Sequence, residues 1–205
     1  MPSVEGVILA AGLSTRMGRF KMGLPIGGKA MIVRCVEGMD SVVQRVLVVV
    51  GWQGDRIREL LAEYPQVEIV PNPDYALGMF TSVKAGFARV RAERFFLLPG
   101  DHALVGPETY LQMLAVAGDI IIPTFQGRKG HPVLMACTLI PEILAQPPDH
   151  TLRDTIRNRG FVAVEVPDEG ILVDVDTPAE YDAAVRFQAR GPEREGSRNR
   201  RGGQP

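Results

Sequence analysis

The chain has 205 residues, 45% of them hydrophobic and 23% charged, which suits one medium domain with a substantial core. Its formal net charge of -1 argues against a nucleic-acid surface, which needs a strong basic excess, so any polyanion it binds is a small one. The two cysteines, Cys35 and Cys137, lie far apart without a CxxC or a His cluster; they indicate neither a disulfide framework nor a zinc site and read as buried apolar residues.

No segment approaches the roughly 20 consecutive apolar residues of a membrane span. The short apolar run after Met1 carries Glu5 in place of a basic leader, unlike a signal peptide. The expected location is cytoplasmic.

Apolar runs alternate with helical stretches, the pattern of a mostly parallel central sheet flanked by helices on both faces. The predicted strands are Val4 to Leu9, Arg45 to Val50, Val67 to Val70, Phe95 to Leu98, Ile120 to Ile122, Val162 to Val166 and Ile171 to Val173. Helices are predicted from Ala30 to Met39, Asp55 to Tyr64, Ser82 to Val90 and Pro107 to Val116. Gln126 to Pro132 reads as a turn feeding a short strand at Val133-Leu134, and Thr151-Leu152-Arg153-Asp154 resembles a capping box opening a helix. Thr177-Pro178-Ala179-Glu180 offers an N-cap hydroxyl, a proline at the first helical position and a glutamate that can bond back, so a last helix runs from Pro178 to about Gln188. The expected domain is 1–188. The tail, 189–205, has too little apolar content to fold and is expected to be disordered.

The stretch from Leu9 to Lys21 carries the strongest chemical signal. A buried strand gives way to Ala10, Ala11 and Gly12, then to Ser14 and Thr15, Arg16, Gly18 and Lys21. Small residues let the backbone approach a ligand, hydroxyls and free N–H groups donate to anionic oxygens, and the two cations supply charge. Gly23 to Ala30 nearly matches a P-loop but lacks the final Ser or Thr and a strand leading into it. A GxGxxG fingerprint is also missing, against a Rossmann dehydrogenase.

Asp101 ends the strand Phe95 to Leu98 through Pro99-Gly100, at the carboxyl edge where open α/β sheets bind ligands. Asp174 and Asp176 follow the run Ile171 to Val173; if that run is a strand, both carboxylates face one side. Asp101 with one of this pair would suit magnesium, which takes few protein carboxylates beside phosphate oxygens. Asn72, Gly78 and Ser82 lie between the third strand and the next helix and offer groups for a base or sugar, although Ser82 also reads as an N-cap. His131, in a Gly-His-Pro turn, reads either as structural or as a group titrating near neutrality in the site.

Taken together, Leu9-Ala10-Ala11-Gly12-x-Ser14-x-Arg16-Met17-Gly18-x-x-Lys21, the strand-end Asp101, Gly130-His131-Pro132-Val133 and Asp174-Val175-Asp176-Thr177-Pro178 resemble the MobA-like nucleotidyltransferases. Within them the chain is most similar to the molybdenum cofactor cytidylyltransferases, over roughly Val4 to Phe187. The resemblance implies a Rossmann-like nucleotidyltransferase fold and magnesium-dependent transfer of a nucleotide from CTP to the phosphate of molybdopterin, with release of pyrophosphate. It implies Arg16, Lys21 and Asp101 as the catalytic groups and Leu9, Ala10, Ala11, Gly12, Ser14, Asn72, Gly78, Ser82 and His131 around the nucleotide. Asp101, Asp174 and Asp176 would hold the metal. The family's guanylyltransferases tend to carry glycine where Ala11 stands, which favours CTP. His102 and Ala103 depart from the Gln or Met and then Pro that usually follow the aspartate, and Gly23 replaces an expected leucine. Two other functions share these residues: transfer to another phosphorylated acceptor such as a sugar phosphate, and delivery of a molybdenum cofactor to a client molybdoenzyme without chemistry.

Overall fold

Along each apolar run, alternate side chains go to opposite faces, and in the computed structural model, which describes residues 3–147 and 149–191, this alternation divides the core in two. The strands are β1 (Val4–Ala10), β2 (Pro25–Ile26), β3 (Lys29–Ala30), β4 (Arg45–Val50), β5 (Val67–Pro71), β6 (Arg94–Pro99), β7 (Ile120–Phe125), β8 (Arg128–Lys129), β9 (Val133–Ala136) and β10 (Val162–Glu165). The helices are α1 (Met31–Asp40), α2 (Gly54–Leu60), α3 (Met79–Phe87), α4 (Pro107–Leu114), α5 (Ile140–Ala145), α6 (Leu152–Arg159) and α7 (Pro178–Arg190). The main sheet runs β10-β7-β9-β6-β1-β4-β5, with β8 paired to β7. β1, β4, β5 and β6 are parallel, whereas β9 is antiparallel to both its neighbours, β6 and β7.

One side chain set, including Ile8, Val48, Phe96 and Leu98, packs under α1, α2, α4 and α7. The other, including Val7, Leu47, Val49, Phe95 and Leu97, packs under α3 and α5. In α1 the buried residues Met31, Ile32, Cys35, Val36 and Met39 follow the helical period, one apolar stripe laid on the sheet. Cys35 is buried as expected, but Cys137 is only half-buried. Among the described residues no helix is long and apolar enough to cross a membrane.

Most predicted elements form within a few residues of their expected bounds, and the departures have local causes. Ile171 to Val173 is not a strand. The Asp168 carboxylate accepts from the N–H groups of Gly170 and Gly106, both at 2.9 Å, and from the Thr109 hydroxyl at 2.7 Å, winding Glu169–Leu172 into a 3₁₀ turn. Such side-chain bonds to backbone compete directly with a ladder. α3 begins at Met79 and not at Ser82, because Gly78, at φ 120°, makes the turn into the helix. α2 stops at Leu60, ahead of Tyr64, whose successor Pro65 disfavours helical backbone. The near P-loop is the β2–β3 hairpin, turning on Gly27 and Gly28, both at positive φ as a two-residue turn of this hand requires. α7 has the full capping box at Thr177 and Glu180 and runs to Arg190, two residues past the expected domain end. The tail beyond 191 lies outside the described residues.

At the amino edge of the sheet one buried carboxylate ties several segments together. Glu5, 6% exposed, accepts from Arg45 Nε at 2.9 Å and from the N–H groups of Arg91 and Ala92 at 2.8 and 3.3 Å. Arg45 also reaches Glu68 and the Arg89 carbonyl. Glu5→Ala would leave two backbone donors and a guanidinium without their acceptor. Removing one member of a buried pair costs about 3–5 kcal/mol, and with Arg45 partly solvated the expected loss is at the low end, read as a fall in the urea midpoint.

Candidate active site

β1 is hydrogen-bonded on both sides, to β4 and β6, so its carboxyl end opens in the middle of the sheet. The chain leaves Ala10 through Ala11, both buried, into a loop that bonds to itself. Gly18 N–H donates to the carbonyls of Ser14 and Thr15 at 3.1 and 3.2 Å, and Lys21 N–H to Ser14 Oγ at 3.4 Å. Ser14 itself stands at φ 54°, a left-handed conformation disfavoured for a residue with a Cβ and held there only by its surroundings.

This closure directs Lys21 inward. Its ammonium lies 3.1 Å from Asp101 Oδ2 and 2.9 Å from Asp176 Oδ1, with the side chain 10% exposed. Arg16, 69% exposed, reaches Asp176 Oδ2 at 2.7 Å. Burial pushes the Asp176 carboxyl up, but Lys21 and Arg16 more than offset it and hold the group below its ordinary range, so it is ionised at neutral pH. Beneath Asp101, the Cys35 thiol donates to the Gly100 carbonyl at 3.4 Å. Burial pushes this thiol up and keeps it a neutral donor.

A cleft of about 290 Å³ opens over these groups. Of the predicted site residues, Leu9, Ala10, Ala11, Gly12, Ser14, Arg16, Lys21, Ser82, Asp101 and Asp176 line it, and Asn72, Gly78, His131 and Asp174 do not. Asn72 works behind the wall. Its amide donates to Thr81 Oγ1 and Ser82 Oγ, both at 2.9 Å, and its carbonyl accepts from Asp74 N–H at 3.0 Å, which folds the 72–82 loop and fixes Ser82. Ser82 is thus a buried bond acceptor within α3, not its cap.

His131 packs on His102 with ring centroids 4.5 Å apart. Burial, and then the neighbouring His102, push its pKa down to about 3, so it is neutral and does not titrate near pH 7. Asp174 is exposed and precedes the buried Val175; because this segment is no strand, the same-face relation with Asp176 fails. Among the described residues no three His, Cys, Asp or Glu side chains come together as a metal-binding group. Asp101 and Asp176 are brought to one point and Asp174 is left out of the cleft wall.

The cleft also takes in Thr15, the second hydroxyl of the loop, and Leu13, Met22, Tyr75, Met79 and Pro99, which sequence reasoning did not assign to the site. Tyr75 is placed by Gly51 at the end of β4: a Cβ there would come 2.5 Å from Tyr75 Cγ, so only glycine lets the ring lie against the backbone. The available signal was a set of large apolar residues, Tyr75, Leu77 and Met79, around Gly78 in a loop between a strand and a helix.

Residues 6–164 match the profile of the MobA-like NTP transferase domain. The chain is 30% identical over 185 residues, 90% of its length and 96% of the relative's, to the molybdenum cofactor cytidylyltransferase of Escherichia coli. It is 26% identical over 90% of its length and 97% of the relative's to the purine catabolism protein PucB of Bacillus subtilis. The crystal structure of Rv0371c from Mycobacterium tuberculosis superposes with a TM-score of 0.79 at 23% identity, covering 90% of this chain and 98% of that one. Its manganese complex superposes at 0.74 and 21%, with the same coverage. A profile spanning most of the sheet and a relative matched almost end to end leave one assignment: the chain belongs to the MobA-like NTP transferase family of nucleotidyltransferases.

Proposed function

We propose that this protein transfers CMP from CTP to the terminal phosphate of molybdopterin and releases pyrophosphate. The observation that carries the reading is the buried Lys21 ammonium between Asp101 and Asp176, beneath a small-residue loop at the carboxyl edge of a parallel sheet. CTP is favoured by the Leu9-Ala10-Ala11-Gly12 loop, in which Ala11, a residue of the cleft lining, would leave less space for a purine than a glycine, and by the cytidylyltransferase name of the Escherichia coli relative.

An oxygen of the acceptor phosphate attacks the α-phosphorus, and the bond to the bridging oxygen of pyrophosphate breaks. Both partners are anions, so the principal obstacles are their repulsion and the charge developing on the leaving group. Lys21 and Arg16 carry the compensating charge. Asp101 and Asp176 hold both cations in place, and such preorganisation is the larger part of this kind of catalysis. No covalent intermediate with the protein is needed, and positioning supplies much of the remainder.

The carboxylates fit a magnesium ion. Asp101 Oδ1 is buried and without a hydrogen-bond partner, and hard oxygen donors in small number suit this cation when phosphate oxygens complete the shell. Asp101, with Asp176 beside it, would hold the ion, which when bound would polarise the phosphate oxygens. The manganese complex of Rv0371c supports a divalent cation on this fold.

The direct test incubates the protein with magnesium, each NTP in turn, and molybdopterin or sugar phosphates, and identifies products by mass. CTP with molybdopterin should give the cytosine dinucleotide and pyrophosphate; use of GTP with CTP ignored sinks the base assignment, and absence of pyrophosphate favours a delivery protein. Asp101→Ala should reduce turnover by ~10²–10³-fold or more, as loss of a preorganised charged group does, measured by pyrophosphate release. Ala11→Gly should relax base choice, moving the CTP to GTP ratio of kcat/KM by about tenfold, the low end for one methyl in a pocket.

A further inference from the structure

Among the described residues, four buried side-chain polar atoms lack a hydrogen-bond partner: Asp101 Oδ1, His102 Nδ1, His131 Nδ1 and the Tyr110 hydroxyl. The first three form one cluster. His102 Nε2 is 3.8 Å from Asp101 Oδ1, and the His102 and His131 rings pack at 54°. Buried polar atoms are nearly always hydrogen-bonded, and three without a partner in one place are the mark of a functional cluster.

Both residues are anchored through their backbones. His102 N–H donates to the Pro99 carbonyl at 3.1 Å in the turn after β6, and His131 N–H to the Ile171 carbonyl at 3.0 Å. Gly130 permits the second contact, since a Cβ there would come 2.4 Å from the Ile171 oxygen. The antiparallel β9, lying between β6 and β7, brings the two turns to the same edge.

We infer that His102 is a positioning residue for Asp101: its Nε2–H donates to Oδ1 of that carboxylate in the nucleotide-bound site, with the His131 ring as its backing. Lys21 already holds the other oxygen, Oδ2. With a donor on each oxygen the carboxylate has one orientation. Closing the gap needs only a small movement, since such bonds form at about 3 Å. A buried N–H without an acceptor is rarer than a buried acceptor without a donor, so the unpartnered Nδ1 is the bare nitrogen and Nε2 carries the hydrogen. A carboxylate oxygen has two lone pairs, which leaves Oδ1 one for a cation.

The inference rests on the nucleotidyl-transfer reading above. The test compares His102→Leu, which keeps bulk and removes the donor, with His102→Gln, whose amide can donate in place of Nε2, each first checked by thermal melting. Pyrophosphate release gives kcat and KM for CTP. Electron paramagnetic resonance gives the affinity for Mn²⁺ with α,β-methylene-CTP bound. We expect His102→Leu to lower kcat, and Mn²⁺ affinity with it, by about 10–100-fold, the range for a group that orients a metal ligand, with KM little changed; His102→Gln should recover most of both. A folded His102→Leu with wild-type kcat and Mn²⁺ affinity overturns the proposal, as does equal loss in the leucine and glutamine variants. His102→Met, unbranched and without a donor, makes the same comparison if the leucine variant does not fold. The Mn²⁺ measurement needs no acceptor, so it decides the role of His102 even if the wild type releases no pyrophosphate from CTP, a result that would count against the proposed function alone.

Discussion

The site depends on one buried cation. Asp101 leaves a turn after a central strand and Asp176 leaves the segment before the last helix, and two carboxylates drawn together in a partly buried cleft repel each other strongly. The Lys21 ammonium lies within 3.1 Å of both and makes their approach favourable. It can do so because the loop that carries it bonds back to Ser14 and because Lys21 itself is nearly enclosed. The Lys21 and Arg16 pairs with Asp101 and Asp176 set out the charge pattern that a triphosphate with a divalent cation would take over.

The sheet provides the frame for this. With β1 hydrogen-bonded between β4 and β6, the loop after β1 and the turn after β6 leave neighbouring strand ends on the same edge, where ligands bind in open α/β sheets. The reversal at β9 carries the Gly130-His131-Pro132 turn to that edge as well. On the other face of the cleft, Asn72 spends its whole side chain on the loop that presents Tyr75, Met79 and Ser82. Binding residues on loops supported by a rigid sheet are the usual division of labour in such folds.

Where close contacts replace a regular element, short side chains and glycines explain it. Asp168 holds three donors and turns the chain from the expected strand into a 3₁₀ turn, and Gly170 allows it, since a Cβ there would meet the Leu104 carbonyl at 2.1 Å. That turn decides the fate of the acidic pair: Val175 goes inward, Asp174 stays exposed, and Asp176 reaches Lys21.

The sequence by itself determined the α/β class, the succession of the main strands along the chain, the cap of the last helix, the loop from Leu9 to Lys21 and an aspartate, Asp101, at a strand end. These are written in local periodicity and in residue types whose chemistry is narrow, such as the capping box at Thr177 and Glu180. Only the tertiary structure decided which acidic residue joins Asp101, that Asn72 supports the cleft from behind, that His131 backs His102, and that Tyr75 and Met79 line the wall. Each of those depends on a contact between segments far apart in the chain. Sequence periodicity reports which face of an element is buried, whereas the identity of the partner across a cleft is set by strand order, by reversals such as β9 and by glycines whose only signature is the atom that would otherwise collide.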